Sequence, residues 1–231
     1  MERKRKRRAA ECVKAKRVRG AELPEAPSGT LETQGYEVFH AAVAPTRKFW
    51  HLVRAAHKDM WVVFNHNART NANDDKRCQA HINVTDEVVK GIDAVLKPFE
   101  KGGLKRSSFV VLRSFSKCQE QAAHQDFDTD SPGFDLSLPL GVLVALQDCT
   151  TFDVWPGSHL ATRTNERFSP IVRHQLALKK GDVLVFRGDL VHAGSAYSKP
   201  NVRLHCYLDA EHTDRKPNAT WELAHHNINP L

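Results

Sequence analysis

The chain of 231 residues is long enough for one domain with a substantial core, and its hydrophobic content of 41% is ordinary for a globular protein. No apolar run approaches the ~20 residues that a membrane-spanning helix needs, so we expect no membrane span. The five cysteines are odd in number and scattered. They lack a C-x-x-C pair, which argues against a disulfide framework and a zinc site and favours a reducing compartment.

The net charge of +7 comes from the N-terminal end of the chain. Residues 1–20 contain ten Lys or Arg and two Glu, which leaves 34 − 10 = 24 basic and 27 − 2 = 25 acidic residues in the remainder. A segment this basic cannot bury apolar surface. We therefore predict a basic disordered tail and linker over residues 1–30, followed by one folded domain over residues 31–231.

The tail contains two basic clusters, R-K-R-K-R-R and K-A-K-R-V-R. Together they resemble a bipartite nuclear-localisation signal, which predicts a nuclear import receptor as a partner and a location in the nucleus rather than the cytoplasm. Contact between the tail and nucleic acid, or a solvated tail without a specific partner, are the alternatives. The near-neutral remainder of the chain gives the folded domain no overall attraction for nucleic acid.

The first half of the domain is predicted to be partly helical. Leu31–Phe39 has the pattern of a helix end, a glycine stop and a strand, and Arg47–Met60 has apolar residues at helical spacing. Asn65–Arg77 is rich in polar turn formers and is predicted to be a surface loop. A second helix is expected to begin after Thr85, a good N-cap, and to end at Gly102-Gly103. We expect these helices to buttress a sheet.

The second half has the pattern of strands and turns. Phe109–Phe115, Leu140–Leu146 and Phe152–Trp155 are apolar or β-branched runs. Gly181–Asp209 contains a Gly-Asp turn, a short apolar strand, a second Gly-Asp turn, and a final strand after a polar loop. This half of the chain is therefore predicted to be mainly β.

The final strand alternates between apolar and polar residues. Its apolar positions are Val202, Leu204, Cys206 and Leu208, and the positions between them are Arg203, His205 and Tyr207. Successive side chains of a strand point to opposite faces. A row of polar side chains on one face indicates that this face lines a site.

His124 and Asp126 would lie on one face of an extended segment, because they are two positions apart. His192 follows 68 positions after His124. Two imidazoles and one carboxylate are the ligand set of the facial triad that holds Fe(II) and leaves coordination positions open. We therefore predict His124, Asp126 and His192 as metal ligands.

Arg203 lies 11 positions after His192, on the final strand. A guanidinium group presents a rigid pair of donors that matches a carboxylate, so Arg203 is suited to bind a dicarboxylate such as 2-oxoglutarate. Gln121, Ser195 and His205 are further candidates for contact with this molecule, since they lie close in sequence to the predicted ligands or share the face of Arg203.

The ordered set H-Q-D, W-P-G-S-H and G-D-V-L-V-F…H…N-V-R resembles the Fe(II)/2-oxoglutarate-dependent dioxygenases, and is most similar to their phytanoyl-CoA dioxygenase-like branch. The resemblance covers Phe109–Asp209, with a weaker similarity at Leu31–Phe39. It implies a double-stranded β-helix, also called a jelly-roll or cupin-like barrel, with a catalytic core at about residues 105–209 and the metal at its open mouth.

The resemblance also implies an activity. His124, Asp126 and His192 would hold Fe(II), and 2-oxoglutarate would bind the metal with its far carboxylate on Arg203. With O2, such an enzyme hydroxylates a C–H bond of its substrate and releases succinate and CO2. The near-neutral domain favours a small molecule or a peptide as the substrate.

Three other functions are compatible with the sequence. The first is a non-catalytic jelly-roll module that binds metal or 2-oxoglutarate as a sensor or scaffold. The second is a nuclear oxygenase that acts on nucleic acid or protein, which the basic tail favours. The third is a cupin-like metal enzyme that does not use 2-oxoglutarate, against which the H-x-D pair with a late His and Arg argues.

Overall fold

The computed structural model of the protein describes residues 30–44, 47, 62–63, 76–84, 86–127, 138–160, 172–211, 213 and 221–222. The predicted tail and linker over residues 1–30 lie outside this part of the chain, except for Thr30. The predicted helix over Arg47–Met60 also lies outside it, except for Arg47.

The described elements are mostly short strands with one long helix. In chain order they are β1 (Tyr36–Phe39), β2 (Val62–Val63), β3 (Arg77–His81), α1 (Asp86–Lys101), β4 (Lys105–Arg106), β5 (Val110–Ser114), β6 (His124–Gln125), β7 (Leu140–Ala145), β8 (Thr150–Val154), β9 (His174–Leu178), β10 (Val183–Arg187), β11 (His192–Gly194), β12 (Asn201–Asp209) and β13 (Trp221–Glu222).

Within the described residues, these strands form two antiparallel sheets. The large sheet has the order β1-β10-β7-β12-β5-β3-β2, with β4 also paired to β12, and the small sheet has the order β13-β6-β11-β8-β9. From β5 to β12 the chain passes repeatedly between the sheets, because β5, β7, β10 and β12 belong to the large sheet and β6, β8, β9 and β11 to the small one. This crossing pattern is the predicted mainly-β double-stranded β-helix.

The large sheet is covered on one side by α1, and we call this side its outer face. The apolar stripe of α1 packs there, as expected of an amphipathic helix that buttresses a sheet. The helix ends where predicted, at Gly102-Gly103, and Gly103 takes a left-handed φ of 97°. The buried residues of this layer include Val88, Ile92, Leu96, Val142, Val144, Val183, Val185, Leu204, Cys206 and Leu208.

The space between the two sheets forms a second core, and we call the surfaces that border it the inner faces. Its buried members include Leu143, Phe152, Val154, Leu176, Leu178, Leu184 and Phe186. Adjacent residues of β7 and β10 thus belong to different cores, because side chains alternate along a strand. The same alternation directs the polar residues of β12 to its inner face.

The sequence-based prediction lacks the five-residue strands β3 and β9, as well as the two-residue strands β4 and β13. Arg77 was assigned to the end of a surface loop, but it begins β3, where it is only 3% exposed. Both segments, R-C-Q-A-H and H-Q-L-A-L, are short and rich in polar residues, so local pattern does not distinguish them from loops. Pairing with β5 and with β8, respectively, makes them strands.

Cysteines follow the prediction in part. Cys78, Cys118 and Cys206 are buried free thiols, as expected of small hydrophobic residues. Cys149 is disulfide-bonded, which the prediction against a disulfide framework did not anticipate. An odd, scattered set of cysteines speaks against a framework of several bonds but does not exclude a single one.

In the part of the chain that the structure describes, no helix has the length and apolar character needed to cross a bilayer.

Candidate metal centre

Two imidazoles are brought together by the register of the small sheet. His124 begins β6 and His192 begins β11, and the antiparallel pairing sets them directly opposite each other. Residues opposite each other in such a pair share a face of the sheet, with Cβ atoms roughly 5 Å apart. The two ring centroids are 4.5 Å apart in an edge-to-face orientation. The register therefore brings two residues that are distant in sequence into direct contact.

Asp126 supplies a carboxylate to the same point. Its Oδ1 lies 3.5 Å from Nε2 of His192 and 3.9 Å from Nε2 of His124. All three residues are buried, and their ligand atoms lie within 4.8 Å of one another. Among the described residues, this is the group of three or more His, Cys, Asp or Glu side chains whose spacing suits a metal ion.

The turn between β10 and β11 holds Asp126 in place. The backbone carbonyl of Gly188 accepts hydrogen bonds from the backbone N–H groups of Asp126 and Phe127, at 3.0 and 3.1 Å. Arg187 and Asp189, on either side of this glycine, form a buried two-bond ion pair at 2.8 and 2.7 Å. Charge-assisted pairs with two hydrogen bonds fix geometry well. The carboxylate thus lies next to a rigid turn rather than on a free loop.

Both histidines have the same hydrogen bond on the side away from Asp126. Nδ1–H of His124 donates to the carbonyl of Ala122 at 2.7 Å, and Nδ1–H of His192 donates to the carbonyl of Leu190 at 2.9 Å. This bond fixes the tautomer that leaves the lone pair on Nε2. Metal-binding histidines are oriented by bonds of this kind.

The pKa of Asp126 shows the electrostatic character of the cluster. Burial by itself would raise the pKa of this carboxyl, but the nearby imidazoles of His192 and His124 hold it well below its usual range. Asp126 is therefore a carboxylate at neutral pH. Two imidazole nitrogens and one carboxylate oxygen form a donor set that fits Fe(II) and leaves positions open for other ligands.

Arg203 lies deeper in the barrel, on the inner face of β12. It is only 5% exposed, and its Nη1 donates a hydrogen bond of 3.0 Å to Oγ of Ser114 on the neighbouring strand. Its guanidinium also lies over the ring of Tyr197, 5.7 Å from the centroid. The structure thus places this cation inside the barrel.

His205 lies two residues after Arg203 on the same inner face of β12, about 7 Å further along the strand. Its ring contacts those of Tyr207, at 4.5 Å between centroids, and Phe186, at 6.4 Å. It is also close enough to Asp126 to contribute to lowering the pKa of that carboxyl. His205 therefore lies close to both the metal ligands and Arg203.

The side chain of Gln121 packs on the inner face of the small sheet, against Gly194 of β11. Its Oε1 accepts a hydrogen bond of 3.0 Å from the backbone N–H of Gly194, which is two residues after His192 and so faces the same way. A Cβ atom on Gly194 would collide with this same oxygen. The amide of Gln121 thus occupies the inner face on the side of the site toward the barrel interior.

Ser195 lies elsewhere. Its Oγ accepts a hydrogen bond of 3.2 Å from Nε2 of Gln175, which also donates to Asp153 at 2.8 Å. Asp153 alternates with the inner-facing residues Phe152 and Val154, so this network lies on the opposite face of the small sheet. Sequence proximity to His192 was the reason for naming Ser195, and strand alternation separates the two. We do not include Ser195 in the site.

Two further features of the site could not be read from the sequence. Phe152 and Phe186 enclose the ring of His192, with centroids 5.2 and 4.9 Å from it. His174, at the start of β9, lies opposite Val154, which in turn lies opposite His192. His174 is therefore on the same face and at the same end of the sheet as the ligands, ~10 Å from His192 across two strands. Only the register reveals it.

No protein-family model matches the chain, and no curated protein matches it in sequence. Solved structures do match. The epimerase SnoN from nogalamycin biosynthesis, in complex with Fe3+, alpha ketoglutarate and nogalamycin RO, superposes with a TM-score of 0.57 at 18% identity, over 85% of this chain and 94% of that one.

Two other structures show the same likeness. HygX from Streptomyces hygroscopicus, with nickel, 2-oxoglutarate and hygromycin B bound, has a TM-score of 0.54 at 15% identity over 82% of this chain and 90% of that one. A prolyl-4-hydroxylase from Pseudomonas putida has a TM-score of 0.54 at 11% identity over 78% and 95%. At these identities the likeness shows a shared fold, the double-stranded β-helix of 2-oxoglutarate-dependent oxygenases.

Proposed function

We propose that the protein is an Fe(II)- and 2-oxoglutarate-dependent dioxygenase that hydroxylates a C–H bond of its substrate. The observation that carries the proposal is the convergence of His124, Asp126 and His192 at the end of the barrel, with the buried cation of Arg203 deeper on the inner face. The shared fold with structures that contain iron or nickel and 2-oxoglutarate supports it.

Nε2 of His124, Nε2 of His192 and a carboxylate oxygen of Asp126 would hold the iron. When bound, the iron supplies the oxidation chemistry, in which 2-oxoglutarate and O2 become succinate and CO2 and one oxygen atom enters the substrate. The chain's own contribution is the fixed direction of the two Nε2 lone pairs, the charge of Asp126, and a buried site that excludes water.

Arg203 would bind the far carboxylate of 2-oxoglutarate. Its two-donor guanidinium matches a carboxylate, and burial strengthens the interaction because little water competes for the charges. Ser114 orients the guanidinium through its hydrogen bond to Nη1. His205 and Gln121 lie along the inner faces near the ligands and would contact the body of the molecule.

The substrate that we propose is a small molecule or a peptide. HygX is solved with hygromycin B, and a prolyl hydroxylase from Trichoplax adhaerens with a similar fold is solved with a peptide fragment. In this chain His174 lies at the same end of the small sheet as the metal ligands, where a substrate must approach. The more specific similarity to the phytanoyl-CoA dioxygenase-like branch stays a prediction from the sequence motifs.

For the basic segment of residues 1–20 we propose recognition by a nuclear import receptor, which would place the protein in the nucleus rather than the cytoplasm. Direct contact with nucleic acid is the competing role, and it would make the full-length protein bind DNA or RNA with strong salt dependence. Retention on an immobilised duplex that disappears without residues 1–20 would favour that competing role.

The test of the proposed activity is succinate formation. The protein is incubated with Fe(II), ascorbate, O2 and 2-oxoglutarate in the presence of panels of small molecules and peptides. We expect at least one panel to stimulate succinate release, and Asp126→Asn, which keeps the shape of the side chain but removes its charge, to abolish the stimulation. Binding of Fe(II) and 2-oxoglutarate without succinate above the level of this variant would instead indicate a non-catalytic module.

A further inference from the structure

The ring of His192 is surrounded by aromatic rings from both sheets. Phe152, on the inner face of β8, stacks on it with an interplanar angle of 24°. Phe186, on the inner face of β10, meets it edge to face at 61°. The two phenylalanine rings also contact each other, with centroids 5.2 Å apart. We call Phe152 and Phe186 the ring pair.

The position of Phe186 depends on a glycine. Gly141 of β7 lies directly opposite Phe186 in the large sheet, and the phenylalanine ring covers it. A Cβ atom on Gly141 would collide with the ring, with Cε2 at 2.6 Å and Cε1 at 2.7 Å. The three nearest atoms to that Cβ all belong to this one ring.

Backbone conformation does not explain this glycine. The glycines with a left-handed φ in the described chain are Gly35, Gly103, Gly157 and Gly181, and Gly141 is not among them. A glycine inside a strand weakens the strand, and it often marks a place where another group approaches closely. At Gly141 the approaching group is the ring of Phe186, and this ring also contacts the ring of His192.

We propose that Gly141 and Phe186 are positioning residues for the metal centre. The hydrogen bond from Nδ1 to Leu190 restrains one edge of the His192 ring. The ring pair restrains its plane, and together they set the direction in which Nε2 presents its lone pair. The inference rests on the proposed metal centre. It adds two consecutive contacts, from Gly141 of β7 to Phe186 of β10 and from Phe186 to His192 of β11.

A double-mutant cycle on metal affinity tests this proposal. Anaerobic titrations with Fe(II), and with Co(II) as a spectroscopic substitute, are made on the full chain for wild type, Gly141→Ala, Phe186→Leu and the double variant. We expect Gly141→Ala to weaken metal binding by about 10- to 100-fold, the range for residues that orient metal ligands. In the Phe186→Leu background the same glycine change should have little effect, because the ring that it displaces is gone.

Gly91→Ala is the matched control. Its added Cβ would also be crowded, though less than at Gly141, with the carbonyl oxygen of Ala42 at 3.0 Å and Cα of Val43 at 3.2 Å. This contact lies between α1 and Val43 on the outer face of the large sheet, away from the metal ligands. This variant should leave metal affinity unchanged, whatever the change in melting temperature that the crowding and the higher helix propensity of alanine produce together. Such a result separates loss of positioning from general loss of packing.

The metal-free protein gives a second measurement. The ring protons of His192 should be shifted by the ring currents of Phe152 and Phe186, and Gly141→Ala should change these shifts in NMR spectra. Unchanged metal affinity in Gly141→Ala, or an equal loss with and without Phe186, would overturn the inference. A wild type that binds no metal would overturn the proposed function, and the NMR shifts would then still report whether the ring contact exists.

Discussion

The two faces of β12 have opposite properties. On the outer face, Leu204, Cys206 and Leu208 are at most 1% exposed and pack in the layer beneath α1. On the inner face, Arg203 and His205 are buried too, at 5% and 8% exposed, but they are polar and lie beside a cluster of metal-binding type. One strand thus contributes to both the stability of the domain and its site.

Burial therefore has a different energetic consequence on each face of β12. Burial of an apolar side chain stabilises the fold by about 1.5–3 kcal/mol, whereas burial of a charge is costly without a partner. The buried guanidinium of Arg203 has such partners, since it donates a hydrogen bond to Ser114 and lies over the ring of Tyr197. Changes on the outer face should affect folding alone, and changes on the inner face should affect binding.

The largest effect is expected from Leu204→Ala. Leu204 is fully buried on the outer face, and such truncations cost about 2–5 kcal/mol in the free energy of unfolding. Urea denaturation measures the loss. At a temperature where the variant is folded, its affinity for Fe(II) should equal that of wild type. A large loss of affinity in the folded variant would show that the two faces are not independent.

Cys206 adds a pH dependence to the outer face. Burial raises the pKa of its thiol to about 12, although the nearby Arg106 opposes this effect. Because the unfolded chain loses this proton first, near its ordinary pKa, stability should fall as the pH rises from about 9 towards 12, by roughly 1.4 kcal/mol per pH unit for this group. Urea denaturation across this range should show a smaller fall in Cys206→Ala, and an identical fall would contradict the assignment.

On the inner face, Arg203→Lys should weaken 2-oxoglutarate binding about 10-fold or more. Lysine keeps the charge but not the two-donor geometry that matches a carboxylate. Calorimetric titration of the Fe(II)-loaded protein measures the change, and Arg113→Lys on the neighbouring strand serves as the control. An unchanged affinity in Arg203→Lys would remove this residue from the cosubstrate site.

The smallest effect on catalysis is expected from removal of residues 1–20. Their basic residues account for the net charge of the chain, and the site residues lie far along the sequence. Succinate formation should be unchanged, while accumulation of a fluorescent fusion in the nucleus should be lost. If the shortened chain loses turnover, the tail belongs to the substrate site.

The sequence alone predicted the features that depend on the two-residue alternation of a strand and on the order of the motifs. The alternation of β12 separates Arg203 and His205 from Leu204 and Cys206, so the shared face of each pair follows from strand geometry alone. Asp126 differs, because β6 ends at Gln125 and a backbone hydrogen bond to Gly188 helps to hold the residue beside His124. The fold class followed from the ordered motifs. Helix α1 followed from the N-cap residue Thr85 before it and the glycine stop after it.

Other parts depend on tertiary structure, and no local signal encodes them. The contact of Gly141 with Phe186 requires the register of β7 with β10. The place of His174 requires the pairing of β9 with β8 and of β8 with β11. Ser195 shows the converse error, since closeness in sequence to His192 did not place it on the same face of the sheet.

An anaerobic titration of the protein with Fe(II) and 2-oxoglutarate tests the central claim most directly. Iron that is chelated by 2-oxoglutarate gives a visible metal-to-ligand charge-transfer band, which depends on both the three-residue site and the cosubstrate. We expect the band in wild type and its loss in His192→Ala. A folded wild type that binds the metal without producing the band would contradict the assignment of a 2-oxoglutarate-dependent centre.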